Sequence, residues 1–359
     1  MLPHTVSLGL KMKYSEEVLQ AEDLDAQGKH QDAVNTLIVA IEKGDIEATT
    51  RLGKRLIVGD RAPNLPKDGV GHIVQAAEAG GAEALCLLSV LFALGMYVKQ
   101  DWRQALNALR LSAENGWQPA KIQLRAIASD RELAAEQDKN SGFWLKLAST
   151  VDFDYWSTPP AANTLSESPI IKTFPGFINS AVCEWLIEKS HKRLTRAQVY
   201  DSVKRTVTES HTRTNSAAIF NMVETDIVNL LVQMRMAAST GVNFRQFEAA
   251  TVLHYAAGEQ ISEHYDFIDP NTPDYETVIL EQGQRIITFI IYLNENYQQG
   301  ETVFPERGIS HKGSKGEGIF FVNALEDGSP DRRTLHAGRP PVEGEKWIVT
   351  QFIRNSYAL

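Results

Sequence analysis

Apolar residues along the first 150 positions recur with a helical rather than an extended period, and the pattern repeats itself. Shifted by 36 residues, the chain superposes Ala33, Gly69 and Ala105, then Leu37, Ile73, Leu109 and Leu145, then Ala40, Ala76, Ser112 and Ala148. Gly44, Gly80 and Gly116 follow in register, as do Ala48, Ala84 and Ala120, and Leu52, Leu88 and Leu124. Positions 33, 37, 40 and 44 fall on one face of a helix. The recurrent glycine predicts the left-handed residue that closes a helix, and the small alanines allow neighbouring helices to approach closely. Stacked helices are therefore expected. Leu145 and Ala148 extend the register to a fourth helix, and Asp152, standing where glycine is due, marks the end of the array.

Between Val151 and Pro169 the chain mixes Pro159, Pro160, Ala161, Ala162, Ser166 and Ser168, the composition of a linker. Beyond it the helical period gives way to short runs of β-formers. Ile170–Phe174 is expected to be extended, and Ala181–Lys192 and Ile227–Ala238 to be amphipathic helices. Strands are expected at Glu248–Tyr255, Ile261–Asp266, Arg285–Leu293, Gly318–Asn323 and Lys346–Ile353. The run Ile286–Leu293 is almost continuous in β-formers, which predicts burial on both faces. Taken alone, these propensities give an α+β domain. The expected organisation is a helical-repeat domain over 14–150, a linker over 151–167 and a second domain over 168–359.

Length and composition narrow the function. With 359 residues the chain exceeds the usual span of one domain, and 43% apolar content is ample for two cores. Thirty-six basic against 45 acidic residues leave a formal charge of −9, which argues against nucleic acid and anionic lipid as partners. Cys86 and Cys183 lie far apart and imply no disulfide framework, so a reducing, cytoplasmic setting is expected. Met1–Tyr14 lacks the sustained apolar core of a signal peptide. The longest apolar stretch, Ala84–Val98, is interrupted by Ser89 and Gly95 and falls short of a membrane span.

The candidate chemistry is concentrated in the second domain. His264 and Asp266 are separated by one residue, so on a strand both project from one face and Tyr265 from the other. His336 follows 70 residues after Asp266, and Lys346 ten residues after His336. Two histidines and one carboxylate leave three adjacent positions open on an octahedral metal, the arrangement of non-heme Fe(II) oxygenases. Taken singly, His336 reads as a satisfied polar residue at a strand end and Lys346 as a solvated charge; it is their order between strand-like segments that points to a metal centre.

At these residues the sequence resembles the Fe(II)- and 2-oxoglutarate-dependent dioxygenases of the prolyl 4-hydroxylase type, over 168–357. Val252–Glu259, Arg285–Asn294, Gly300–Pro305 and His336–Trp347 look like successive segments of that family. The resemblance implies a double-stranded β-helix, or jelly roll, with helices packed outside. It also implies Fe(II) held by His264, Asp266 and His336, with 2-oxoglutarate as cosubstrate, O2, and ascorbate as a reductant. Lys346 takes the family position of the partner for the distal carboxylate of 2-oxoglutarate, a charge that must be paired when buried. Thr350, on the same strand face, could add a hydroxyl. Tyr255 and Tyr292 match positions where the family offers phenols to the cosubstrate, with an ordinary core aromatic equally open for each. Thr288 shares the face of Tyr292 and could simply line the pocket. Arg213, within His211–Ser216, resembles a position near the substrate channel. His254, His311 and Trp347 are read as structural or solvated.

The repeats resemble the tetratricopeptide class of helix pairs, particularly its Sel-like branch, and imply an α-solenoid. The whole is then a multi-domain α and β protein, a solenoid followed by a jelly-roll oxygenase. Asp266 favours hydroxylation over halogenation, because related halogenases lack this carboxylate and place halide in its position. The resemblance implies an enzyme that hydroxylates an unactivated C–H bond with succinate and CO2 as coproducts. A prolyl residue of a peptide or protein, docked on the repeats, is the expected substrate. A free amino acid or small metabolite is the first alternative, and a repeat-based scaffold with an inactive oxygenase domain the second. Ile268–Glu276, polar and proline-containing, reads either as a loop closing over substrate or as a passive insertion.

Overall fold

A computed structural model describes residues 15–138, 142–197, 199–201, 206–208 and 212–356. Met1–Tyr14 and His211 lie outside them, and with them the signal-peptide reading. The chain divides into two compact units at Ala120/Lys121.

In the first unit six helices follow one another: α1 (Glu16–Ala26), α2 (His30–Glu42), α3 (Ile46–Val58), α4 (Pro66–Glu78), α5 (Ala82–Leu94) and α6 (Trp102–Glu114). Each packs on the next, so the array is continuous. The periodic positions are the packed ones: Leu37, Ile73 and Leu109 are each fully buried, as are Ala33, Ala48, Ala84 and Ala105. Gly44, Gly80 and Gly116 adopt φ of 82, 86 and 91°, as the turn after each helix requires. At the α3–α4 crossing a Cβ on Gly69 would sit 2.7 Å from the carbonyl oxygen of Gly53, so only glycine allows the two backbones to meet there. A helical-repeat solenoid is the architecture of this unit.

The second unit opens with helical structure of its own: α7 (Gln118–Ile127, beginning before the division), α8 (Arg131–Ala135), α9 (Phe143–Ser149) and α10 (Phe153–Ser157). The compact division therefore falls earlier than the boundary expected at 150. The physical reason lies in α7, where the Gln123 side chain accepts from Ile227 N–H at 3.2 Å and the Ala126 carbonyl accepts from Asn179 at 3.0 Å. Register also departs from expectation at α9, where Leu145 is 58% exposed and Leu147 fully buried. The short α8 intervenes, and α9 turns to bury Phe143, Trp144 and Leu147, with the Arg125 guanidinium 5.0 and 5.2 Å from the two rings. Residues 151–167, expected as a linker, carry α10 and an edge strand. Aromatic side chains anchor the segment despite its prolines: Trp156 is buried and the Tyr155 ring lies 3.8 Å from the Arg235 guanidinium.

Among the described residues two larger sheets, with two two-stranded ribbons beside them, carry the remainder of the core. The strands used below are β1 (Asn163–Glu167), β2 (Ile170–Phe174), β3 (Thr195–Arg196), β4 (Ser216–Ile219), β5 (Thr251–Tyr255), β6 (Ile261–His264), β7 (Arg285–Tyr292), β8 (Thr302–Phe304), β9 (Ile309–His311), β10 (Gly318–Val322), β11 (His336–Gly338) and β12 (Lys346–Arg354). Eight make the larger sheet, in the order β1-β2-β10-β7-β12-β5-β4-β3, and four the smaller, β9-β8-β11-β6. Their pairings are antiparallel. Side chains alternate between faces, so Leu253, Tyr255, Ile290, Tyr292, Ile319, Phe321 and Ile348 point from the larger sheet into a common core with Phe304 of the smaller. The opposite face is covered by α11 (Ser180–His191) and α12 (Ile227–Thr240). Trp347 packs 4.7 Å from the His191 ring, and Gln233 donates to Gln351 at 2.9 Å. Coverage on both sides explains the unbroken apolar run in β7, buried from Ile287 to Tyr292. This is a double-stranded β-helix with external helices. Among the described residues no helix is long and apolar enough to cross a membrane.

Candidate active site

Strand pairing does what sequence separation hides. In the smaller sheet β11 runs antiparallel to β6 with His336 directly opposite His264, and the two imidazole centroids are 4.2 Å apart. Asp266 follows just beyond the end of β6 and returns to the same side, its carboxylate oxygens 3.4 Å from His264 Nε2 and 3.3 Å from His336 Nε2. One ligand atom from each residue lies within 4.8 Å of the other two.

The tautomers are set by the backbone. His264 Nδ1 faces the Ser262 carbonyl at 2.8 Å and His336 Nδ1 the Thr334 carbonyl at 3.0 Å. A carbonyl can only accept, so each Nδ1–H donates and each Nε2 is turned towards the shared point, the arrangement that orients metal-binding histidines. Burial works against the Asp266 charge, but His336 and His264 outweigh it and hold the carboxyl well below the usual carboxylate range. Burial likewise disfavours a charged His264, and Asp266 raises it overall. An ionised carboxylate and two imidazole nitrogens at one point are a donor set that fits ferrous iron.

Lys346 opens β12, opposite Tyr255 on β5. It is 1% exposed, and its Nζ donates to the Gly300 carbonyl at 2.8 Å, with the Tyr255 and Tyr292 ring centroids 5.3 and 5.7 Å away. Burial pushes this ammonium down to about 7, with Glu301 pulling the other way. Among the described residues no carboxylate forms an ion pair with Lys346, Glu301 acting on it only from a distance, and a buried carboxylate would supply one.

A cavity of about 540 Å³ joins these groups. Of the residues singled out from sequence, His264, Asp266, His336, Lys346, Tyr255, Thr350 and Arg213 line it. Arg213 bridges to Ile261 at the entry to β6 and donates from Nε to Asn215 at 3.2 Å. Tyr292 does not line the cavity. Its hydroxyl donates to Thr302 at 2.9 Å, which turns it into the core while Thr302 faces the cavity in its place. Tyr265 corrects a second expectation: β6 ends at His264, strand alternation stops there, and Tyr265 lines the cavity, stacked on Phe267 at 4.7 Å. Thr288, read as a lining residue, hydrogen bonds Asp266 at 2.7 Å. His254 pairs with Glu345 at 2.6 Å and Trp347 is 2% exposed, both outside the site. The loop after Asp266 carries a further helix, Tyr275–Gln282, and Asp269 is paired with Arg332 at 3.0 Å.

The sequence profile of the 2OG-Fe(II) oxygenase superfamily matches residues 250–354, the stretch that supplies every residue of the triad and Lys346. The chain is 30% identical over 221 residues to probable prolyl 4-hydroxylase 6 of Arabidopsis thaliana, covering 56% of this chain and 74% of that protein. The chain belongs to the 2OG-Fe(II) oxygenase superfamily. It is also similar to probable prolyl 4-hydroxylase 7 of the same plant, at 28% identity across 65% of this chain and 77% of the relative. Among solved structures, viral collagen prolyl hydroxylase from Paramecium bursaria Chlorella virus-1, in its 2OG complex, shares 26% identity with a TM-score of 0.40, over 52% of this chain and 96% of that one. The protein is thus a prolyl 4-hydroxylase-like dioxygenase, whose family chemistry uses Fe(II), 2-oxoglutarate and O2 and whose His-Asp-His cluster is fitted to the iron.

Proposed function

We propose that this 2OG-Fe(II) oxygenase hydroxylates a prolyl residue within a peptide or protein, releasing succinate and CO2. The reading rests on one observation: the buried Lys346 and the His-Asp-His cluster face the same cavity, and that cavity continues well past both. Lys346, Ile348, Thr350 and Phe352 all line it from one face of β12, a run of about 20 Å at roughly 3.3 Å per residue. At its far end stands Ile219, 63% exposed. 2-Oxoglutarate fills only part of such a length, and what remains suits an extended chain better than a free amino acid. Proline as the target is supported by the names of the two plant relatives.

Each side chain then has a task. Lys346 pairs with the distal carboxylate, at the cost of desolvation already borne in the fold, and Thr350 adds a hydroxyl on the same strand face. His264, Asp266 and His336 would hold the iron and leave three adjacent positions open. Bound iron, with 2-oxoglutarate and O2, supplies the oxidising power needed for a C–H bond, and ascorbate is a suitable reductant for it. Arg213 and Tyr265 border the space left for substrate. The exposed faces of the repeats dock the macromolecular substrate in this reading; the buried Ala and Leu positions serve packing alone.

Mass spectrometry tests the proposal. Full-length protein with Fe(II) and 2-oxoglutarate should add one oxygen to proline-containing peptides with matching succinate formation, and His264→Ala should abolish both. Oxygen gain on free amino acids alone would favour a small-molecule hydroxylase, and no succinate with any substrate would favour a scaffold.

A further inference from the structure

We infer that Thr288, itself fixed by Asn323, is a positioning residue that holds the Asp266 carboxylate in the orientation a metal would require. The inference rests on the metal-centre reading and concerns groups outside the triad. Thr288 lies on β7 in the larger sheet, across the sandwich from the two histidines. It is 1% exposed, and its Oγ1 lies 2.7 Å from Asp266 Oδ2. Asn323, fully buried just after β10, places Nδ2 at 2.9 Å from the same Oγ1. The Asn323 backbone is pinned on both sides, its N–H donating to the Ile286 carbonyl at 2.7 Å and its carbonyl accepting from Asp331 N–H at 2.8 Å.

Proton counting fixes the direction of this relay. A hydroxyl carries one proton. With the Asn323 amide N–H donating to Oγ1, that proton is left for Asp266, which is ionised and can only accept. The reversed amide would set two acceptors, the Asn323 carbonyl and the carboxylate, against one hydroxyl proton. The observed orientation leaves Asn323 Oδ1 buried without a hydrogen-bond partner. A buried polar atom left in that state is unfavourable, and an apolar side chain would avoid it, so the amide is retained for its N–H.

The consequence concerns the orientation of the carboxylate. Oδ2 accepts from Thr288 and lies 3.3 Å from His336 Nε2, while Oδ1 lies 3.4 Å from His264 Nε2, so the hydroxyl holds the carboxylate facing both imidazoles. Without that hydrogen bond the carboxylate would be free to rotate away from the two Nε2 atoms, and the site would lose a fixed donor.

Co(II) titration of the full-length protein tests this without turnover. Wild type should bind Co(II) and His264→Ala should not; failure of that pair overturns the metal centre itself. Given that pair, Thr288→Val, which keeps the shape and removes the hydroxyl, should lose about 10–100-fold in Co(II) affinity, while Thr288→Ser stays within about threefold of wild type. Asn323→Leu, with Thr288 intact, should fall between them and serves as the second probe if Thr288→Val does not fold. In turnover, Thr288→Val should consume 2-oxoglutarate in excess of product. Wild-type affinity in Thr288→Val, or in Asn323→Leu where it is the probe used, would overturn the inference, as would an equal loss in Thr288→Ser.

Discussion

Burial means opposite things in the two halves of this chain. In the helical repeats Leu37, Ile73 and Leu109 occupy equivalent positions, all fully buried, and each contributes the same packing. In the oxygenase sandwich Lys346 is buried just as deeply, but no second lysine shares its place and its burial works against its own charge. The apolar positions stabilise the fold by being buried, while the lysine costs stability, and the binding of an anion would account for its place there. Stability and function should therefore separate cleanly between the two regions.

The largest expected effect is on the site side. Lys346→Ala should weaken 2-oxoglutarate binding by about 2–5 kcal/mol, the loss on truncating one partner of a buried charge pair, without lowering the thermal midpoint of the free protein. Calorimetric titration alongside a melt measures both, and unchanged affinity would reject the carboxylate-partner assignment. On the repeat side the pattern should invert. Leu109→Ala should cost about 2–5 kcal/mol of stability by leaving a cavity, with 2-oxoglutarate affinity untouched. Leu145→Ala, at the position that superposes on Leu109 in sequence, should stay within about 0.5 kcal/mol because that side chain is 58% exposed. Equal losses at the two leucines, read from urea midpoints, would mean that the repeat register continues into the fourth helix after all.

That pair of leucines also shows where the sequence was legible. Periodic positions announce themselves because every repeat faces the same packing problem, and the 36-residue offset exposes the answer several times over. The period stops being a guide where the neighbours change, as at α9, which buries Phe143 and Trp144 instead. The candidate iron ligands and Lys346 are legible by order, spacing and resemblance, and the strands carrying them by their β-formers. What could not be read were contacts created by folding. Tyr265 escapes the strand alternation because β6 ends one residue before it, and Tyr292 meets Thr302 through a hydroxyl contact that no spacing encodes. Thr288 and Asn323 are ordinary in sequence and informative only once Asp266 lies beside them.

A last effect separates the two meanings of burial within a single residue. In the free protein burial lowers Lys346 from its ordinary value of 10.5 to about 7, so above that pH the empty site holds a neutral amine. Binding a dicarboxylate favours the ammonium, and above pH 7 it must draw a proton from solution. Below the shifted value affinity should be flat; above it, apparent affinity should fall by up to about tenfold per pH unit. Folding stability from the same group runs the other way. Between about pH 7 and 10.5 the unfolded chain binds more protons at this lysine than the folded one, so its contribution rises with pH. Lys346→Arg keeps the charge at all these values and should flatten the pH dependence of binding, whatever its absolute affinity. Titrations from about pH 6 to about pH 9 decide it: a wild-type affinity independent of pH would mean that the ammonium keeps its proton in the empty cavity, held there by Gly300 and Glu301 against desolvation.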